Sequence, residues 1–200
     1  MIWSSTVVIA PGNGGMVKTY ELAHEILAEI DHVISQVKEI EVEALSQAIL
    51  KSERIVVYGL GREGLVMRGF AMRLMHLGLD VSVVGEMTTP PLGPDDLFVV
   101  SCGPGYLSTV EALTGVARKA GATVAMLTAQ PAAPLPQTAH LVVNVPAQTM
   151  AESEQSSSAQ AMGSVFEQAL WILFDALVPQ LQAALGQTAE DLRRRHTNME

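Results

Sequence analysis

Apolar residues recur along this chain with two periods. From Met16 to about Lys51 the spacing is helical: Leu22, Ile26, Ile30, Val33 and Val37 form one stripe, and Val42, Leu45 and Ile49 form another. Two helices in series, or one long bent helix, carry these stripes. They cover either their own sheet or a partner subunit. At Arg54 the pattern changes. Ile55 to Tyr58 are β-branched or aromatic, a glycine-rich turn follows, and Leu65, Phe70, Leu74 and Leu77 return to helical spacing. That is a buried strand at about 54–58, a tight turn and a helix at about 63–77.

The same alternation continues. Strands are expected at Asp80 to Val84, Leu97 to Ser101, Thr123 to Leu127 and Leu141 to Val145, with a helix from about Ser108 to Ala120. Gly85 to Asp96 holds three prolines and two glycines and reads as loop, and Pro131 to Pro136 allows at most one helical turn. Ala147 to Gln160 has no apolar period and reads either as a mobile loop over a site or as a plain surface linker. Gln160 to about Leu185 is a strong helix with Val165, Leu170, Leu173 and Leu177 on its apolar face and Pro179 inside it. Gly186 ends it, and a last short helix starts at Thr188.

Strands alternating with helices imply crossover connections, hence a parallel sheet covered on both faces. The expected fold is α/β, a three-layer α/β/α sandwich on a five-stranded parallel sheet of flavodoxin-like order 2-1-3-4-5. Ligands then bind outside the carboxyl ends of strands 1 and 3, where both glycine turns lie. The organisation is an arm at 1–15 and a single domain at 16–200. That domain divides into N-terminal helices (16–51), an α/β core (52–146), a loop (147–160) and C-terminal helices (161–200).

Composition narrows the chemistry. A formal charge of −9 argues against a nucleic-acid partner, which requires clustered Lys and Arg. An anionic ligand therefore needs a local positive pocket in a negative molecule. The single cysteine, Cys102, excludes an intrachain disulfide and fits a reducing cytoplasm. The first residues lack the basic region of a signal peptide, and no apolar run is long enough to span a membrane. Five histidines and one cysteine show no metal-ligand spacing, so neither metal nor cofactor is expected. At the turn after the first strand, unpaired N–H groups and the helix dipole favour an anion, although glycines there serve a plain turn equally well. Arg193, Arg194 and Arg195 are the densest positive charge, either a solvated face or an anion site offered to a neighbouring subunit.

Three stretches carry a family resemblance: GLGREGLVMRGFAMRLMHLGLDVSVVGEMTTPPLGPDDL, AMGSVFEQALWILFD and the terminal RRRHTNME. Together they resemble the sugar isomerase (SIS) domain family, and its 6-phospho-3-hexuloisomerase branch in particular. The resemblance implies a homodimer or homotetramer that binds a sugar phosphate between subunits, its phosphate held by hydroxyls after strands 1 and 3. It also implies an aldose–ketose isomerase working through an enediol. Glu167 matches the family's base, His76 its histidine, and His196 lies in the terminal match. The substrate-binding positions are Gly61, Arg62, Glu63, Arg68, Ser101, Gly103, Ser108 and Thr109.

Both loops depart from the family's pattern, the second also by one extra residue that sets its threonine at Leu107 or Ser108. The family's first loop resembles G-x-G-R-S-G and its second S-G-S-G-E-T. Here Glu63 stands at the first loop's serine and Gly103 at the second serine of the second loop. If Glu63 faces the cradle, ordinary phosphate dianions are disfavoured; if it turns to Arg62 or Arg68, the helix start stays available. Two further readings therefore stand beside the phosphosugar isomerase: an isomerase of a non-phosphorylated or sulfonated sugar, and a non-catalytic sugar sensor or scaffold.

Overall fold

A computed structural model describes residues 18–149 and 158–199. The expected arm at 1–15 and the centre of the 147–160 loop lie outside the described residues. The two N-terminal stripes are separate helices, α1 (Thr19–Ile34) and α2 (Glu39–Lys51). Then follow β1 (Ile55–Tyr58), α3 (Gly61–His76), β2 (Val81–Val83), β3 (Leu97–Ser101), α4 (Ser108–Lys119), β4 (Thr123–Thr128) and β5 (Leu141–Asn144). A 3-10 turn at Pro136–Thr138 is all the helix that the proline-rich segment makes. The chain closes with α5 (Ser164–Ala184) and α6 (Ala189–Arg194).

All five strands pair in parallel in the order β2-β1-β3-β4-β5. Alternate strand residues point to opposite faces, and the two cores follow that alternation. Ile55, Val57, Leu97, Val99, Ala125 and Leu127 pack with α1, α2, α3 and α5. Val56, Phe98, Val100, Val124 and Met126 face the other way, onto Val110 and Ala117 of α4 and onto Leu135. The sandwich is therefore lopsided, with four helices on one face and α4 on the other.

Two details differ from the sequence reading. The buried stripe of α3 runs through Val66, Met67, Phe70, Ala71 and Leu74, while Leu65 is 63% exposed. Leu65 belongs to an outward apolar surface that continues at Trp171, not to the core. Secondly, α5 starts at Ser164 rather than near Gln160. Met162 and Gly163 both hold positive φ, 60° and 79°, and a helix cannot propagate through left-handed residues. For Met162 this conformation is a strained one.

Packing between α3 and α5 orients the site. The Phe70 and Phe174 rings stack with centroids 3.9 Å apart and planes within 5°. One end of this pair of helices presents two acidic first turns, Glu63 of α3 and Glu167 of α5. At the other end α6 folds back onto α3, its start fixed by a capping box in which Thr188 and Asp191 bond each other's backbone N–H. Beneath the sheet, Arg54 pairs with buried Asp96 through two hydrogen bonds of 3.0 and 2.8 Å, which ties the start of β1 to the start of β3.

Candidate functional site

β1 and β3 are neighbours in the sheet, with Ile55 opposite Leu97 and Tyr58 opposite Val100. Their carboxyl ends therefore finish side by side, and the turns that leave them, 59–64 and 102–107, face each other. Close contact is built into the first turn. A Cβ on Gly64 would lie 2.6 Å from the Gly59 carbonyl oxygen, so only glycine lets α3 start so close to the strand end.

Glu63 turns inward, toward the second loop. Its Oε2 accepts a 2.5 Å hydrogen bond from Ser101 Oγ and a 3.1 Å bond from the Gly103 N–H, while its Oε1 is 3.3 Å from the same nitrogen. Ser101 is fully buried. The two donors that the strand-3 loop offers at this point are thus already engaged by a carboxyl group of the same chain. Burial pushes the Glu63 carboxyl up from its ordinary value, and the charge of Glu167 adds to the rise; the bonds from Ser101 and Gly103 pull in the opposite direction. Cys102 beside it is pushed up to about 12 by burial and by Glu63, so its thiol stays neutral and unreactive.

Gly103 is matched to this arrangement. A Cβ there would sit 2.9 Å from Glu63 Oε1 and 2.9 Å from two carbons of the Phe166 ring. The carboxyl group fills the space that a side chain at 103 would need. These two departures from the family's pattern are one structural unit.

Glu167 stands across the cleft from Glu63. Its side chain is 13% exposed and makes an ion pair with Arg62, whose own side chain is 62% exposed. Arg62, Glu63 and Glu167 all line one cleft of about 470 Å³, together with Gly61 from the turn, Tyr106 and Thr149. The chain reaches α5 along a defined path. Glu29 of α1 accepts bonds from Ser158 Oγ at 2.7 Å and the Ala159 N–H at 2.8 Å, and Gln160 and Gln168 bond each other through both amides.

Five of the expected residues thus form two bonded sets at one cleft, Arg62 with Glu167 and Glu63 with Ser101 and Gly103, and Gly61 lines the cleft as well. Ser108 and Thr109 open α4, are exposed and do not line this cleft, and neither does exposed Arg68. His76 is buried at the far end of α3, thirteen residues from Glu63, roughly 20 Å along the helix axis. Its ring stacks on His196 at 5.2 Å, and Arg195 Nη1 donates to its carbonyl at 3.0 Å. Within one copy the histidine pair and the cleft are at opposite ends of α3.

Thr149 and Tyr106 are cleft residues that sequence reasoning did not single out, although both fall in segments expected near a site. Both lie in segments without periodicity, and only the fold brings them here. Thr149 is 3% exposed, and its hydroxyl makes no hydrogen bond among the described residues.

Comparison with known proteins places the chain among relatives. The chain is 35% identical to the 3-hexulose-6-phosphate isomerase of Bacillus subtilis, over 92% of its length and all of that protein. It is 39% identical to the 3-hexulose-6-phosphate isomerase of Mycobacterium gastri, over 86% of each. Among solved structures, a Methanococcus jannaschii protein with an inferred 3-hexulose-6-phosphate isomerase function superposes with a TM-score of 0.74 at 26% identity, covering 90% of this chain and 97% of that one. The SIS domain family model matches residues 48–172, which take in both strand-end turns and Glu167, and the chain belongs to that family.

Proposed function

We propose that this protein is a sugar phosphate isomerase of the 3-hexulose-6-phosphate isomerase type, moving a carbonyl to the neighbouring carbon of an open-chain sugar. The observation that carries it is Glu167, a carboxylate held by Arg62 in a cleft that is also lined by the α3 turn and by Glu63, the residue that bonds buried Ser101 and Gly103 behind it. The relatives' names supply the substrate class.

Glu167 takes the proton from the carbon alpha to the carbonyl, the electron pair shifts to the carbonyl oxygen to give an enediolate, and the neighbouring hydroxyl passes its proton to that oxygen. Returning the proton at the former carbonyl carbon completes the isomerisation with no net gain or loss of atoms. Arg62, beside Glu167 and mostly solvent-facing, holds the carboxylate in place and offers a cation to the enediolate oxygen. His76 and His196 reach such a cleft only from another copy of the chain. The reading therefore includes a homodimer or homotetramer working in the cytoplasm, with exposed Leu65, Met72, Trp171 and Ile172 along α3 and α5 as its apolar contact surface.

A thermal-shift screen of phosphosugars, sulfosugars and free sugars tests the class, because specific binding raises Tm. A hexulose 6-phosphate should raise Tm and be isomerised. Absence of both binding and turnover with every phosphosugar would falsify the reading.

A further inference from the structure

A phosphate at the α3 turn is repelled by Glu63 unless that carboxyl becomes a donor. Ser101 Oγ and the Gly103 N–H both give their hydrogens to the Glu63 carboxyl. Among the described residues the cleft lining holds one cation, Arg62, and it is paired with Glu167. With Glu63 ionised, the cleft carries a net negative charge before any phosphate arrives. With Glu63 protonated, the same group is a hydroxyl donor at the position where the family's pattern has a serine.

We propose that Glu63 holds the terminal phosphate of the substrate as a neutral carboxylic acid, one oxygen accepting from Ser101 and Gly103 while the other donates to a phosphate oxygen. Binding of the substrate is then coupled to uptake of one proton. This rests on the sugar phosphate reading and deepens it.

The geometry assigns the two oxygens. Oε2 takes both closer bonds, 2.5 Å from Ser101 and 3.1 Å from Gly103, whereas Oε1 has only the 3.3 Å approach of Gly103 N. Oε1 is the less engaged oxygen and therefore the one available to carry a proton. It occupies the position from which a side chain at 103 is excluded, so one acid stands in for hydroxyls at two positions. The Thr149 hydroxyl, buried and without a partner among the described residues, lines the same cleft and adds a further donor.

The groups facing Glu63 do not supply the proton linkage in its place. From α5 comes Glu167, already paired with Arg62 of α3. From the strand-3 loop come Cys102, a neutral thiol, and Tyr106, whose hydroxyl donates to Glu111 at 3.0 Å.

Calorimetric titration of the full chain, repeated in buffers of different protonation enthalpy, counts the protons taken up. Two probes are used: fructose 6-phosphate and a 6-sulfonate analogue of it. The sulfonate does not titrate near neutrality, so any pH dependence it shows belongs to the protein. Affinity for it should rise as pH falls, approaching about tenfold per pH unit above the Glu63 titration. In Glu63→Gln, whose amide both accepts and donates, proton uptake with the sulfonate should vanish. Affinity for both probes should then match or exceed the wild type at every pH.

Infrared difference spectra of the wild-type chain give a second readout that does not depend on a variant folding. Adding fructose 6-phosphate should produce a protonated-carboxyl band. Equal proton uptake in wild type and Glu63→Gln, or no such band, overturns the role of Glu63 while leaving the isomerase reading intact. A neutral sugar that binds better than both anions and is lost in Glu63→Gln overturns it too. Failure of any phosphosugar to bind or turn over at any pH overturns both.

Discussion

Ser101 donates its hydroxyl hydrogen to Glu63 across 2.5 Å, and this one bond joins the end of β3 to the first turn of α3. It satisfies a fully buried hydroxyl, which would otherwise cost about 1–3 kcal/mol. Removing either partner therefore alters both the anion cradle and the local packing. Glu63→Ser should strengthen phosphosugar binding at neutral pH, with the largest gain at low salt, where charge repulsion is least screened. Ser101→Ala should weaken every ligand that binds. Equilibrium titrations at two ionic strengths check both, and an unchanged affinity in Glu63→Ser removes the carboxyl from the binding site.

Glu167→Gln should lower kcat by roughly 10²–10⁴-fold, far more than it changes ligand affinity, because the amide keeps the size of the side chain but loses its basicity. Steady-state kinetics with a hexulose 6-phosphate, alongside direct binding, separates the two effects. Turnover near that of the wild type would remove Glu167 from the proton transfer.

Glu63 makes stability depend on pH with a definite sign. Its carboxyl is raised above the ordinary 4.5, chiefly by burial, so the folded chain keeps that proton to a higher pH than the unfolded chain does. Below 4.5 both states are protonated and Glu63 brings no penalty. From 4.5 up to the folded value, stability falls as pH rises, and above that the loss is complete. The Tm advantage of Glu63→Gln over the wild type should grow across that window and then level off. A difference that does not vary with pH contradicts the raised carboxyl.

Gly103→Ser alone should destabilise the fold by about 1–3 kcal/mol, because the new side chain meets Glu63 and the Phe166 ring at 2.9 Å. Together with Glu63→Ser the part of that loss due to the carboxyl should disappear while the Phe166 contact remains, leaving a coupling energy of about 0.5–3 kcal/mol, as residues in contact show. Urea unfolding of the two single variants and the double variant measures it. Strict additivity would mean that the two positions do not share one space.

Assembly is the last expectation. Trp171 and Ile172 are 45% and 48% exposed, next to Leu65 and Met72, on the helix pair that ends in His76. Light scattering should report a dimer or tetramer, and Trp171→Glu should shift it toward smaller species. A wild-type monomer at micromolar concentration contradicts the shared-site reading.

The fold was legible because its signals are local. Four- to six-residue β-branched runs and glycine turns located every strand to within one residue at each end, and the alternation gave the sheet order that sets Glu63 beside Ser101. The direction of Glu63 was not legible, since Arg62, Arg68 and Ser101 were all within reach of a flexible side chain. Leu65 looked like core because helical spacing alone does not separate a buried face from an apolar face turned outward. The distance between His76 and the cleft, by contrast, was implicit in thirteen helical residues. Thr149 and the left-handed Met162 carried no periodic signal at all.

The close fit of Glu63 against Gly103 also constrains how this sequence can change. A serine at 103 meets both the acid and the Phe166 ring while the acid stays, whereas a serine at 63 first leaves only the ring to adjust. A lineage returning to two hydroxyls therefore meets an easy order of substitutions and an obstructed one. Family members that carry an acid at the first position should accordingly keep the small residue at the second, and the two sites should change hands as a pair.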